Sequence, residues 1–112
     1  MAGSHNIVVT KGDTFNFNFR VETDGVAWDL STYTAKMQVR RSSTDTTKLL
    51  DLATDSGITL TSAGHVNVVA SSATMSTLPT GRWLYDFEVT SAGGEKTTLL
   101  AGRFIVKAEV TV

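Results

Sequence analysis

Apolar and polar residues alternate with period two along most of this chain, and that period predicts β-strands. Phe15, Phe17, Phe19 and Val21 share one face of the clearest run, with Asn16, Asn18, Arg20 and Glu22 on the other. Ala35, Met37 and Val39 alternate with Lys36, Gln38 and Arg40. Trp83, Tyr85, Phe87 and Val89 oppose Arg82, Leu84, Asp86 and Glu88, the most aromatic face in the chain, and predict a central strand. Ile7 to Val9 read as a first strand. Ile58 and Leu60 pair with the run from His65 to Val69 across a Ser62-Ala63-Gly64 turn. Leu99, Leu100, Phe104, Ile105 and Val106 return after Gly93-Gly94, and Val110 and Val112 suit a final edge strand. Asp24-Gly25 predicts a turn, after which Trp28 and Leu30 form an irregular hairpin return for the Phe15 strand. Gly102, inside a strand run, marks a bulge or a close backbone approach.

Ser71 to Leu78 is the one segment where a helical turn competes, with Ser72 able to cap it and Pro79 ending it. Residues 41 to 47 hold no apolar side chain and predict a loop. Met1 to His5 contain Gly-Ser-His, which is of the kind left by expression vectors, and are expected to be a flexible end before a single domain over residues 6–112. Together these elements predict an all-β fold: an antiparallel β-sandwich of about eight strands with one short helical turn near residues 71–78. Its immunoglobulin-like character is architectural only, because the Cys-Trp-Cys spacing is missing. The core is expected from Phe15, Phe17, Phe19, Met37, Val39, Trp83, Tyr85, Phe87 and Phe104.

Composition supports strands and narrows function. The 112 residues include 18 Thr and 10 Ser, a quarter of the chain, with a single Pro. A net charge of −1 carries no excess that would draw nucleic acid or an anionic membrane, and no apolar run is long enough to span a bilayer. Without a signal-like N-terminus, a soluble, unsecreted chain is expected. Zero cysteines leave no disulfide, thiolate or cysteine-bound metal.

Candidate chemistry is sparse. His5 and His65 have no Cys or His companion at metal-ligand spacing, so neither metal nor cofactor is expected. Asp86 and Glu88 share a strand face as a glycosidase pair does, but Arg82 on the same face and Arg103 or Lys96 on the neighbouring strand offer ordinary partners for a solvated face. No Gly-x-Ser-x-Gly elbow or phosphate-binding glycine motif occurs, and no catalytic residue is predicted. Trp28 and Tyr33, in a connecting segment, would suit a carbohydrate-binding or adhesin-like module if both faced solvent.

The order of features is more specific than any one of them. Gly12-Asp13-Thr14 leads into the first alternating strand. Asp24-Gly25 and Trp28-Asp29-Leu30-Ser31-x-Tyr33-x-Ala35-x-Met37-x-Val39-Arg40 follow, then Ile58-x-Leu60. Next come Leu78-Pro79-x-Gly81-x-Trp83-x-Tyr85-Asp86-x-Glu88-Val89-Thr90 and Leu99-Leu100-x-Gly102-x-Phe104-x-Val106. Over residues 10 to 107 this resembles a small β-sandwich module of tailed-phage structural proteins, similar to the N-terminal domain family of phage baseplate upper proteins. The resemblance implies a non-enzymatic virion component of tail, baseplate or head-tail region. Its partners would be copies of itself and other phage structural proteins, and it would be assembled in the host cytoplasm. In that family a long receptor-binding remainder follows the module, whereas this sequence stops at Val112, which makes a connector, adaptor or decoration role the expectation. Edge strands and loops keep backbone groups available, so Val8 and Val110 at the terminal strands, and Arg41, Thr44, Asp45 and Lys48 around the polar loop, are the candidate assembly contacts. Lys11, Lys107 and Glu109 would equally serve to blunt those edges.

Overall fold

In the computed structural model, which describes residues 3–42, 44, 45 and 47–108, the alternating segments become an all-β fold with one short helix. Its strands are β1 (Gly3–Ser4), β2 (Ile7–Thr10), β3 (Phe15–Arg20), β4 (Glu22–Thr23), β5 (Val26–Ala27) and β6 (Thr34–Arg40). They continue as β7 (Lys48–Thr54), β8 (Gly57–Leu60), β9 (His65–Ala70), β10 (Gly81–Thr90) and β11 (Lys96–Lys107), with α1 (Ser72–Met75) between β9 and β10. One hydrogen-bonded sheet runs β1-β11-β10-β6-β7-β8-β9-β3, with β2 also on β11; β4 and β5 form a separate ribbon. The sheet folds over on itself at the β7–β8 corner. The β11-β10-β6-β7 side therefore faces the β8-β9-β3 side as two layers of a sandwich.

Side chains from both layers meet in between. Phe15 of β3 packs edge-on against Phe104 of β11 (5.6 Å between centroids, 75°), and Phe19 packs on Phe87 of β10 (5.1 Å, 86°). Met37, Val39, Ile58, Val66, Val68 and Val89 fill the space around them, each about 1% exposed or less. Leu30, from the β5–β6 connection, and Met75 and Leu78, from the α1 segment, are wholly buried. Of the expected core, Phe15, Met37, Val39, Tyr85, Phe87 and Phe104 are buried, whereas Phe17, Phe19 and Trp83 are half-buried and pack against its margin.

Most pairing is antiparallel, as the period-two faces predict, and β10 is central, between β6 and β11. Three contacts are parallel: β1 and β2 on β11, and a two-pair contact of β7 with β8. The last is a corner, not a crossover. Asp55 (φ 64°) and Gly57 (φ 106°) turn the chain, and Ala53 and Ser56 exchange backbone hydrogen bonds of 3.2 and 2.9 Å across it. A Cβ at Gly57 would stand 2.8 Å from the Val69 carbonyl oxygen, so this corner admits only glycine without a shift.

Several expectations are corrected. The Phe15 strand does not pair with the segment that follows it: Asp24-Gly25 closes only the short β4–β5 ribbon, and β3 pairs with β9. Tertiary packing of the three phenylalanines chose the distant partner over the nearby turn. The helix cap is Ser71, whose hydroxyl accepts from the Thr74 N–H at 3.2 Å, while Ser72 instead ties α1 to the β2–β3 turn by donating to the Gly12 carbonyl at 2.6 Å. Gly3 to His5 are part of the fold, not a flexible end. Gly3 and Ser4 pair with Leu100 and Ala101, and the His5 N–H donates to the Ala101 carbonyl at 3.1 Å. Gly102 is a site of close approach, since the His5 carbonyl occupies the place a Cβ would take; the irregularity in the β10–β11 ladder lies instead at Phe87/Glu88. The final edge strand at Val110 and Val112 falls outside the described residues.

Three substitutions separate these contributions in urea unfolding. Phe87→Ala should lower stability by about 3–5 kcal/mol, since it removes the ring that joins the layers. Gly102→Ala should cost about 1–3 kcal/mol by pushing the N-terminal strand off β11, while Gly93→Ala, whose Cβ meets nothing closer than the Ser91 hydroxyl at 3.8 Å, stays near neutral.

Candidate functional site

Two features of the surface stand apart. The first is an open seam along β3. Among the described residues this strand pairs only with β9, and β2 only with β11, so each has a backbone edge with no strand beside it. Between them lies a groove of about 430 Å³ lined by residues 5–10 and 13–17, where the His5 and Phe17 rings stack at 5.6 Å. It is continued by a second groove of about 330 Å³ beside Phe19, Trp28, Leu99 and Leu100. Val8, a predicted assembly residue, is 53% exposed on the β2 edge of this seam.

The second feature is a concavity of about 370 Å³ on the outer face of β6, β10 and β11. Leu84 and Ala101 form its apolar floor. Arg40 and Arg103 both pair with Leu84, one strand to either side, and line the concavity with Gln38, Ser42 and Asp86. The Arg40 guanidinium donates to the Gln38 side-chain amide oxygen, Oε1, at 2.8 Å. Arg41 lies over the Trp83 ring, 5.4 Å from its centroid. With Arg82 on β10, four of the five arginines of the chain gather at this end of the sheet. Among the described residues none of them forms an ion pair; the two pairs are Arg20–Glu22 (3.3 Å) and Lys48–Asp51 (3.6 Å).

The remaining predicted contacts lie near this second feature. Thr44 is exposed, within 3.3 Å of the Ser42 hydroxyl, and Asp45 accepts from the Thr47 N–H at 2.9 Å. Lys48 opens β7 opposite Arg40. Two strands, β10 and β11, separate this loop from β2, so Val8 and the residues from Arg41 to Lys48 belong to different surfaces. Val110 lies outside the described residues.

The sparse chemistry of the sequence takes the following positions. His65 is exposed at the start of β9, opposite Arg20. Among the described residues no group of three or more His, Cys, Asp or Glu is placed to hold a metal. Asp86 faces Gln38 and Ala101, and Glu88 faces Lys36 and Thr98. Arg103 and Lys96, the partners expected for them, stand opposite Leu84 and Thr90 instead, because the register is set by the buried face. Trp28 and Tyr33 are both half-buried. Their rings meet at 6.1 Å and 43°, with the indole N–H donating to the Thr23 hydroxyl at 2.8 Å, so they form a tilted pair and not a flat platform. Asp29, beside them, accepts from the Ser31 hydroxyl (2.6 Å) and N–H (3.0 Å), which hold its carboxyl below the usual range.

The concavity as a site was not visible in sequence. Arg40, Arg82 and Arg103 are scattered along the chain, and only the shared register with Leu84 brings two of them together. No family model and no curated protein matches the chain, so the resemblance to phage modules rests on the residues quoted for it.

Beneath the concavity, the buried Tyr85 hydroxyl donates to the His5 carbonyl at 2.6 Å, and burial pushes its pKa from 10.0 up to about 12. Below pH 10 both folded and unfolded chains keep this proton, so the contact is intact; between 10 and 12 only the unfolded chain ionises, and stability falls. Near-ultraviolet titration should show one tyrosine ionising near pH 12, and Tyr85→Phe should remove it. The same substitution should cost about 1 kcal/mol by leaving the His5 carbonyl without its donor.

Proposed function

We propose that this chain is a non-enzymatic structural module of a bacteriophage virion, in the tail, baseplate or head-tail region, acting by assembly with copies of itself or with neighbouring virion proteins. The observation that carries the reading is the seam. Two strand edges that face one another with unpaired backbone groups favour addition of an extended segment from a partner, where main-chain hydrogen bonds supply affinity and alternate side chains specificity. The ordered turn-and-strand pattern over residues 10 to 107 supplies the phage context. A carbohydrate-binding or adhesin-like role is less well supported, since the tilt and partial burial of Trp28 and Tyr33 deny a sugar ring the flat surface on which it would stack.

The reading is tested by genomic neighbourhood and by binding. The gene is expected among portal, capsid or tail genes, and the purified protein is expected to form a defined oligomer or to bind the product of a flanking gene in co-purification. Val8→Lys, at the exposed β2 edge, should weaken that association while changing folding stability by no more than about 0.5 kcal/mol. A strict monomer at high concentration that binds no flanking gene product would overturn the proposal.

A further inference from the structure

We infer that copies of this chain associate head to tail, with the β4–β5 ribbon of one copy seated in the arginine-lined concavity of the next. The inference rests on the assembly reading above and adds a contact between copies that is distinct from the seam.

The ribbon has the form of a knob. Glu22 and Thr23 pair with Ala27 and Val26, and the Asp24-Gly25 turn between them has both residues at positive φ (52° and 80°), the geometry of a tight two-residue hairpin. Val26 is 70% exposed, the most exposed large hydrophobic side chain among the described residues, and it stands next to the Asp24-Gly25 turn. Glu22 is held by Arg20, which leaves Asp24 as the carboxylate offered outward. An isolated exposed valine is ordinary on a protein surface. One beside an acidic turn, on a chain that also carries an apolar hollow between two arginines, has a complementary place to go.

The concavity supplies that place. Leu84 and Ala101 give Val26 an apolar floor, and Arg40 and Arg103, on either side of Leu84, can receive the Asp24 carboxylate in charge-assisted hydrogen bonds. Asp86 also lines the hollow and opposes an incoming acid, but it faces Gln38 and Ala101, one pair along from the two guanidiniums. Arg41 and Arg82 nearby add to the positive field, which draws an acidic ribbon during encounter.

Knob and hollow lie at different places on the same chain. Arg40 and Arg103 pair with Leu84, near the start of β10, whereas the groove beside Glu22 and Thr23 is lined by Thr97, which pairs with Val89. Five residues of strand separate these positions, about 17 Å along β10. A contact between unlike surfaces is heterologous: it repeats from copy to copy and builds rings or open stacks, not a closed twofold dimer.

Light scattering over a concentration series, at low and high salt, tests the contact. Wild-type mass is expected to grow with concentration and to fall back in high salt. Arg40→Glu with Arg103→Glu disables the hollow, and Asp24→Lys with Val26→Asp disables the knob; each should weaken association at least about tenfold, equivalent to about 1.4 kcal/mol. Urea unfolding checks that both variants remain folded, and Arg103→Glu alone serves if the double change does not. The decisive arm mixes the two variants. One intact knob then meets one intact hollow, so a 1:1 dimer and nothing larger is expected. A mixture that stays monomeric, or self-association untouched by either variant, overturns the head-to-tail contact. In the second case the chain still assembles, through another surface, and the wider reading stands. A wild-type chain that is monomeric throughout overturns this contact, and binding to flanking gene products then decides the wider reading separately.

Discussion

The edge-on packing of Phe15 on Phe104 and of Phe19 on Phe87 is the interaction on which the rest of this structure depends. It fastens β3 to the opposite layer by side chains alone. Each such pair contributes about 0.5–1.5 kcal/mol beyond the burial of its area. Aromatic rings close the sandwich here, and among the described residues β2 and β3 approach one another without pairing. The open seam is thus a consequence of how the core is closed.

A second consequence concerns the outer face. Once Tyr85, Phe87 and Phe104 point inward, the alternation of β10 and β11 obliges Leu84, Asp86 and Arg103 to point outward. The His5 carbonyl needs the space beside Gly102 and takes the Tyr85 hydroxyl as its donor. Gly102 pairs with Tyr85, so the side it leaves empty is the inner one, and that space lets the N-terminal strand lie against β11.

Much of the fold was legible in the chain. The period-two faces of β3, β6 and β10, the β8–β9 hairpin and the helical turn before Pro79 follow from side-chain alternation and turn chemistry, which are local properties. The residues that misled were those whose local signal was real but weak against packing. Asp24-Gly25 does make a turn, yet it closes a two-residue ribbon, because Phe15, Phe17 and Phe19 bury more by lying beside β9 than beside the segment that follows. Gly3 to His5 carry no strand signal at all, and their order comes from Leu100 and Ala101, nearly a hundred residues away.

What the sequence by itself determined was therefore which residues form strands and which face of each is buried, since both depend on neighbours two positions apart. Only the tertiary structure decided which strands meet, and with them the register that sets Arg40 and Arg103 on either side of Leu84, the open edges of β2 and β3, and the separation of the acidic ribbon from the arginine-lined hollow. The physical reason is that pairing and register are chosen by the total area buried when all strands pack together, a quantity no single segment contains.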